Sequence, residues 1–344
     1  MLCLTTRWVP WSDENPEDRL RTILDLDIPG VVLSAEDPLD QWSMLAREIT
    51  GSRHSLPAAT APVPEKPFLP RQARRIPRLD AIDESEARAA RSVTLSALAH
   101  CRDLGIPALI LTPTLLPQES DRASLLSRQQ QWQKEKFRCE NAVTPGDVES
   151  TAAAEIQISK ERLEYQRFLK VWHKQLLPIS PRRDAFFRNL DPLLNEADRC
   201  QVTLLIRESP HPWTPLARDE MEPIFQTFAG APMRFLFDPA AEARCRDLLA
   251  NELDAPSPLP DPEPAGMVLG DFNAGGEETL PGHGLYNPKS LFFGEEAAFS
   301  FPLHILDPAP GPNPDDFTDT IELCRNLGID GAPPPEPGEP WIIF

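Results

Sequence analysis

Gln201-Val-Thr-Leu-Leu-Ile-Arg-Glu208 is a short apolar run that ends abruptly in a carboxylate. The pattern recurs at Met233-Arg-Phe-Leu-Phe-Asp238 and at Pro302-Leu-His-Ile-Leu-Asp307, and a proline follows each within two residues (Pro210, Pro239, Pro308). Each run has the length of a strand, and an acid at the C-terminal end of several successive strands is where a (β/α)8 barrel keeps its chemistry.

Outward from these runs the chain alternates. Strands are expected at Leu2–Thr6, Gly30–Ser34, His54–Ala61, Pro107–Thr112 and Gly266–Asp271 as well, which makes eight. Helical spacing of apolar residues marks the segments between them: Asn15–Leu26, Pro38–Ile49, Asp83–Leu104, Asp184–Cys200, Pro215–Phe228, Ala240–Leu253, Pro288–Ala298 and Asp315–Leu327. Eight strands alternating with helices, joined by right-handed crossovers, predict an α/β fold: a (β/α)8 TIM barrel spanning 1–344 as one domain. A doubly wound open sheet would want a glycine-rich first turn, and none follows Leu2–Thr6.

One segment breaks the alternation. Residues 114–181 are long, polar and helix-rich, with helices expected at Ser124–Arg138 and Glu155–Leu177 around a turn at Asn141–Asp147. This reads as a helical hairpin inserted in a barrel loop. Its stripe of Tyr165, Leu169, Trp172 and Leu176 docks on the barrel, forms a dimer contact or holds a partner. Residues 332–344 form a proline-rich tail.

Composition narrows the classes of function. A net charge of −19 opposes a polyanion, so nucleic acid is not expected as a partner. No apolar run approaches a membrane span, and the first residues lack the basic-then-apolar plan of a signal peptide, so a cytoplasmic protein is expected. The 6 cysteines are scattered without a C-x-x-C pair and read as reduced. Against this acidic background, Pro62–Arg78 gathers Lys66, Arg71, Arg74, Arg75 and Arg78. It reads either as a lid that binds an anionic group of a substrate or as a solvated loop.

Four pieces of the chain resemble the xylose isomerase-like barrels, which include sugar phosphate isomerases and epimerases and, more distantly, endonuclease IV. They are Glu86–Thr112, Val202–Glu208, Phe235-Leu-Phe-Asp-Pro239, and Met267-Val-Leu-Gly-Asp-Phe272 followed by Pro281-Gly-His-Gly284. Each is weak alone; their order and spacing make the resemblance. It implies a divalent metal held by Glu, Asp, His and Glu from the ends of strands five to eight. Carried over, Glu208 and Asp238 match, Val268 stands at the histidine, and Asp307 replaces the last glutamate. Ala241 stands where the family has a second histidine.

The resemblance thus implies Mg²⁺ or Mn²⁺ on Glu208, Asp238 and Asp307, because hard cations take carboxylates and water. An aldose–ketose isomerase or epimerase of a sugar or related polyol also needs a base beside the carbonyl. Glu208 and Asp307 are the candidates. His211, His283, Arg74 and Arg75 are candidate substrate contacts. The competing class is a barrel that has lost its metal and serves as a ligand- or protein-binding module. A repair endonuclease would need a histidine-rich site that this chain lacks.

Overall fold

In the computed structural model, which describes residues 1–9, 16–26, 28–62, 78–111, 119–144, 147–173, 179–209, 214, 218–249, 264–273, 278–284, 301–308, 314–326 and 329, parallel strands close into a barrel. The strands are β1 (Leu2–Thr5), β2 (Gly30–Leu33), β3 (Ser55–Thr60), β4 (Ala108–Leu111), β5 (Thr203–Arg207), β6 (Met233–Phe237) and β7 (Gly266–Leu269), then a small antiparallel hairpin of β8 (Asp271–Phe272) and β9 (Glu278–Thr279), and β10 (Leu303–Leu306). Each barrel strand pairs with the next in the chain, and β10 closes on β1 with Leu2 opposite His304. The expected (β/α)8 fold is the observed one.

The helices are α1 (Pro16–Leu24), α2 (Trp42–Gly51), α3 (Glu84–Leu104), α4 (Glu119–Asn141), α5 (Val148–His173), α6 (Ile179–Cys200), α7 (Arg218–Thr227), α8 (Pro239–Leu248) and α9 (Pro314–Asn326). Among the described residues no helix is long and apolar enough to cross a membrane. The expected helix at Pro288–Ala298 and the tail at 332–344 lie outside the described residues.

Strand side chains alternate between two apolar layers. Cys3, Val32, Ala58, Leu205, Leu236, Val268 and Ile305 belong to one cluster that fills the barrel. Leu4, Val31, Leu204, Ile206 and Phe235 belong to the larger core under the helices. Burial on both faces is why the strands read as unbroken apolar runs rather than alternating ones. The six cysteines are all buried, and none is disulfide-bonded.

Helix α3 shows how local chemistry sets the boundaries. Asp83 caps it, accepting from the backbone N–H of Ser85 at 3.0 Å and of Glu86 at 2.9 Å. Gly105 ends it at φ +69°, and Ile106 N–H returns to Cys101 O at 2.8 Å. The segment after β3 is fastened here too. Asp80, wholly buried, accepts from Arg182 Nε of α6 at 2.7 Å, and Asn189 Nδ2 of the same helix donates to Leu79 O at 2.8 Å. Of the basic cluster only Arg78 is described. It pairs with Glu86 at 3.3 Å and lies 3.7 Å from Asp80.

The inserted hairpin is α4 and α5. Both begin earlier than expected, at Glu119 and Val148 rather than Ser124 and Glu155. Their first turns carry no apolar spacing for a sequence reading to catch. Tyr165, Leu169 and Trp172 are buried against Leu125 and Trp132 of α4, and Trp172 Nε1 donates to Ser124 Oγ at 3.1 Å. Leu249, just past α8, packs on the same cluster. The stripe is therefore used inside the hairpin and at its foot. Leu176 lies outside the described residues. Phe137, Ile156, Leu163 and Val171 remain exposed on the hairpin.

Candidate functional site at the barrel mouth

Alternation carries the inner layer of the barrel up to its C-terminal rim. Two residues beyond Cys3, Leu205, Leu236 and Ile305 stand Thr5, Arg207, Asp238 and Asp307. A two-residue step keeps a side chain on the same face. The apolar filling thus ends in a polar layer of one hydroxyl, one guanidinium and two carboxylates.

These groups are joined to one another. Arg207 Nε donates to Asp238 Oδ2 at 2.7 Å, and Arg207 Nη1 donates to Asp307 Oδ2 at 2.5 Å. Thr5 Oγ1 donates to Asp307 Oδ1 at 2.9 Å. The other oxygen of Asp238 accepts from Ala241 N–H at 2.9 Å, which caps α8 with Pro239 as its first residue. Burial alone would raise the Asp307 pKa. The charges of Arg207 and Arg7, with the hydrogen bonds from Arg207 and Thr5, outweigh it and hold the carboxyl below its ordinary range.

Glu208 does not share this layer. It has the parity of Leu204 and Ile206, which face the helices. It is buried, and its Oε1 accepts from Asp238 N–H at 3.1 Å. It borders α8: the Cys245 thiol is raised first by burial and next by the charge of Glu208. The sequence reading followed the acid at the end of the run and passed over the residue before it. Counting in twos from Leu205 finds Arg207.

The rims of β1 and β2 are polar as well. Thr6 Oγ1 donates to Asp37 Oδ2, and the Ser34 N–H reaches both, at 2.8 Å and 2.7 Å. Arg7 pairs with Glu36 at 3.4 Å. After β7, buried Asp271 gathers the N–H groups of Phe272 at 2.7 Å, Gly282 at 3.2 Å and Gly284 at 2.9 Å. His283 is exposed between those glycines. A Cβ on Gly282 would stand 3.1 Å from Leu323 of α9, so this loop leans on the helix layer. His211, Arg74 and Arg75 lie outside the described residues.

The donors do not fit the Mg²⁺ or Mn²⁺ that the resemblance implies. Asp238 and Asp307 each give an oxygen to Arg207 and the other to a second donor, and Glu208 gives one to the backbone N–H of Asp238. Val268, at the histidine position, fills the apolar layer. Among the described residues, no three His, Cys, Asp or Glu side chains are grouped to hold a metal. A divalent ion about 4 Å from the guanidinium would meet about 8 kcal/mol of repulsion at an effective dielectric of about 20. Arg207 thus bridges two of the three carboxylates expected to hold the ion.

No protein-family model matches this chain, and no curated protein matches it. Solved structures do. D-psicose 3-epimerase, determined in the presence of D-fructose, superposes with a TM-score of 0.56 at 8% identity, covering 96% of this chain and 99% of that one. The IOLI protein with a bound zinc atom gives 0.56 at 11% identity over 95% and 96%. A xylose isomerase domain protein from Planctomyces limnophilus gives 0.50 at 11% identity, over 95% of each chain. At such identities the likeness is one of fold. The barrel is the one that xylose isomerase-like proteins and sugar epimerases use.

Proposed function

We propose that this chain binds a small sugar-like polyol at the carboxyl end of its barrel and is, in type, a sugar isomerase or epimerase. The observation that carries this reading is the inward polar layer of Thr5, Arg207, Asp238 and Asp307 on an apolar filling. A polyol offers hydroxyls that can both donate to carboxylates and accept from a guanidinium. The fold's neighbours act on sugars by name, the psicose epimerase among them. The Asp307 carboxylate is the base in this reading, and Arg207 beside it is the group that polarises a carbonyl.

A second reading keeps the ligand and drops the reaction. It is favoured by the commitment of Asp307 and Asp238 to Arg207 and of Glu208 to a backbone N–H, which leaves each candidate base already engaged. Under both readings, His211, His283, Arg74 and Arg75 are the further residues proposed to contact the ligand.

Thermal shift and calorimetry with a panel of ketoses, aldoses, polyols and their phosphates test the site. Binding to the wild type that weakens at least tenfold in Asp307→Asn supports it. Conversion of the bound sugar, followed by NMR, separates the two readings. Preference for phosphates would bring Arg74 and Arg75 into the site. A panel that produces no binding to the wild type would sink the proposal.

A further inference from the structure

We infer that Arg207 is the resident cation of the mouth, a guanidinium built into the chain where related barrels would recruit a divalent ion, so that the site is complete without metal. This deepens the sugar-site reading and rests on it for the ligand, though not for the cation.

Three independent observations lead there. Strand alternation puts Arg207, rather than Glu208, on the inner face of β5, two residues above Leu205. The guanidinium spans two strand ends that are not adjacent in the barrel, reaching Asp238 after β6 and Asp307 after β10, with β7 between them. It thereby joins the two aspartates that sit at metal-ligand positions by resemblance. The strand between them contributes apolar Val268 to the filling below, which gives a metal no further donor.

The chemistry of the exchange is specific. A divalent ion gathers carboxylates through its charge and leaves open positions for two substrate oxygens. A guanidinium gathers the same carboxylates through fixed N–H donors and stays charged at every working pH. It also cannot be stripped by a chelator. The Thr5 hydroxyl on Asp307 and the backbone cap on Asp238 hold the two acids in the geometry that the guanidinium bridges. Arg7 places a further positive charge near Asp307. The layer therefore has its positive charge in place before any ligand arrives.

Mn²⁺ alone is the probe. Calorimetric titration of the full chain, pretreated with chelator, is expected to show no stoichiometric binding to the wild type up to millimolar Mn²⁺. Arg207→Ala removes the guanidinium from one oxygen of each aspartate and is expected to gain Mn²⁺ affinity by at least tenfold. Arg207→Lys keeps a balancing charge for the fold, should Arg207→Ala not fold, and is expected to leave Mn²⁺ unbound. Stoichiometric Mn²⁺ binding to the wild type or to Arg207→Lys overturns the inference. So does a folded Arg207→Ala that gains nothing. These titrations read the cation only, so a failed sugar panel leaves their outcome intact, and the reverse holds.

Discussion

Arg207 and Asp307 are separated by 100 positions in the chain and by 2.5 Å in the fold. β5 and β10 do not pair with each other, so this contact crosses the rim of the barrel. It forms only when the barrel is closed. The Arg207 side chain is 17% exposed and that of Asp307 13%, so water screens the pair only partly. Removing one partner of a largely buried pair leaves the others uncompensated. Arg207→Ala is therefore expected to cost about 3 kcal/mol, measured by urea unfolding. Asp307→Asn, which keeps a hydrogen-bonding side chain beside Thr5, should cost less. Equal and negligible effects from both would mean that the network adds nothing to the fold.

A second pair acts away from the mouth. Arg182 and Asp80 are both almost wholly buried, and they tie the segment after β3 to α6. Asp80→Asn or Arg182→Met alone should destabilise by about 3 kcal/mol, because each removes the other's hydrogen-bonded counter-charge in the core. The double variant Asp80→Asn/Arg182→Met should recover part of that loss. A double-mutant cycle with no coupling would contradict this account.

How far the chain could be read without its structure differs between strands and site. The strands were legible because burial on both faces makes them unbroken apolar runs, and helix α3 because Asp83 and Gly105 mark its ends. At β5 the run of apolar residues points to its terminal acid, Glu208, whereas alternation carries the neighbouring Arg207 inward. Asp238 and Asp307 end their strands with inward parity, whereas Glu208 has the parity of Ile206. The same count in twos correctly sends His304 to the helix side, and applied to Leu205 it finds Arg207. The β8–β9 hairpin was hidden for another reason. Strands of two residues are too short to show any periodicity. The role of Asp271 as a clamp on Gly282 and Gly284 depends on backbone N–H groups brought back by that hairpin, and no pattern of side chains announces it.

That clamp makes its own prediction. A Cβ at Gly284 would lie 2.5 Å from Phe272 O, a backbone atom that cannot step aside. Gly284→Ala should therefore loosen the loop that carries His283 and cost about 2 kcal/mol. Gly51, where an added Cβ meets nothing within 4 Å, is the control, and Gly51→Ala should be near neutral. Chemical denaturation of the two variants side by side checks the contrast, and equal stabilities would refute the clamp.

His304 gives the protein a pH dependence that is separate from the mouth. It is buried on the helix side of β10 near Phe301, and neither ring nitrogen has a hydrogen-bonding partner among the described residues. Burial, and then the positive amino group of Met1, push its pKa down from 6.5 to about 3. The folded state thus binds the proton far more weakly than the unfolded chain. Above the ordinary value both states are neutral and His304 adds no pH dependence. As pH falls below it, the unfolded chain takes up the proton first, and stability drops by about 1.4 kcal/mol per pH unit until the folded value is reached. Asp307, whose pKa is lowered from 3.8, adds its own loss only at more acid pH, and the Met1 amino group, lowered from 8.0 by burial, adds a loss that begins at more alkaline pH, so the comparison with a histidine-free variant separates the His304 share. Urea unfolding of the wild type should show a loss of about 2 kcal/mol between pH 7.5 and pH 5.0 that His304→Leu does not share. A slope that survives the substitution unchanged would assign the acid sensitivity to other groups.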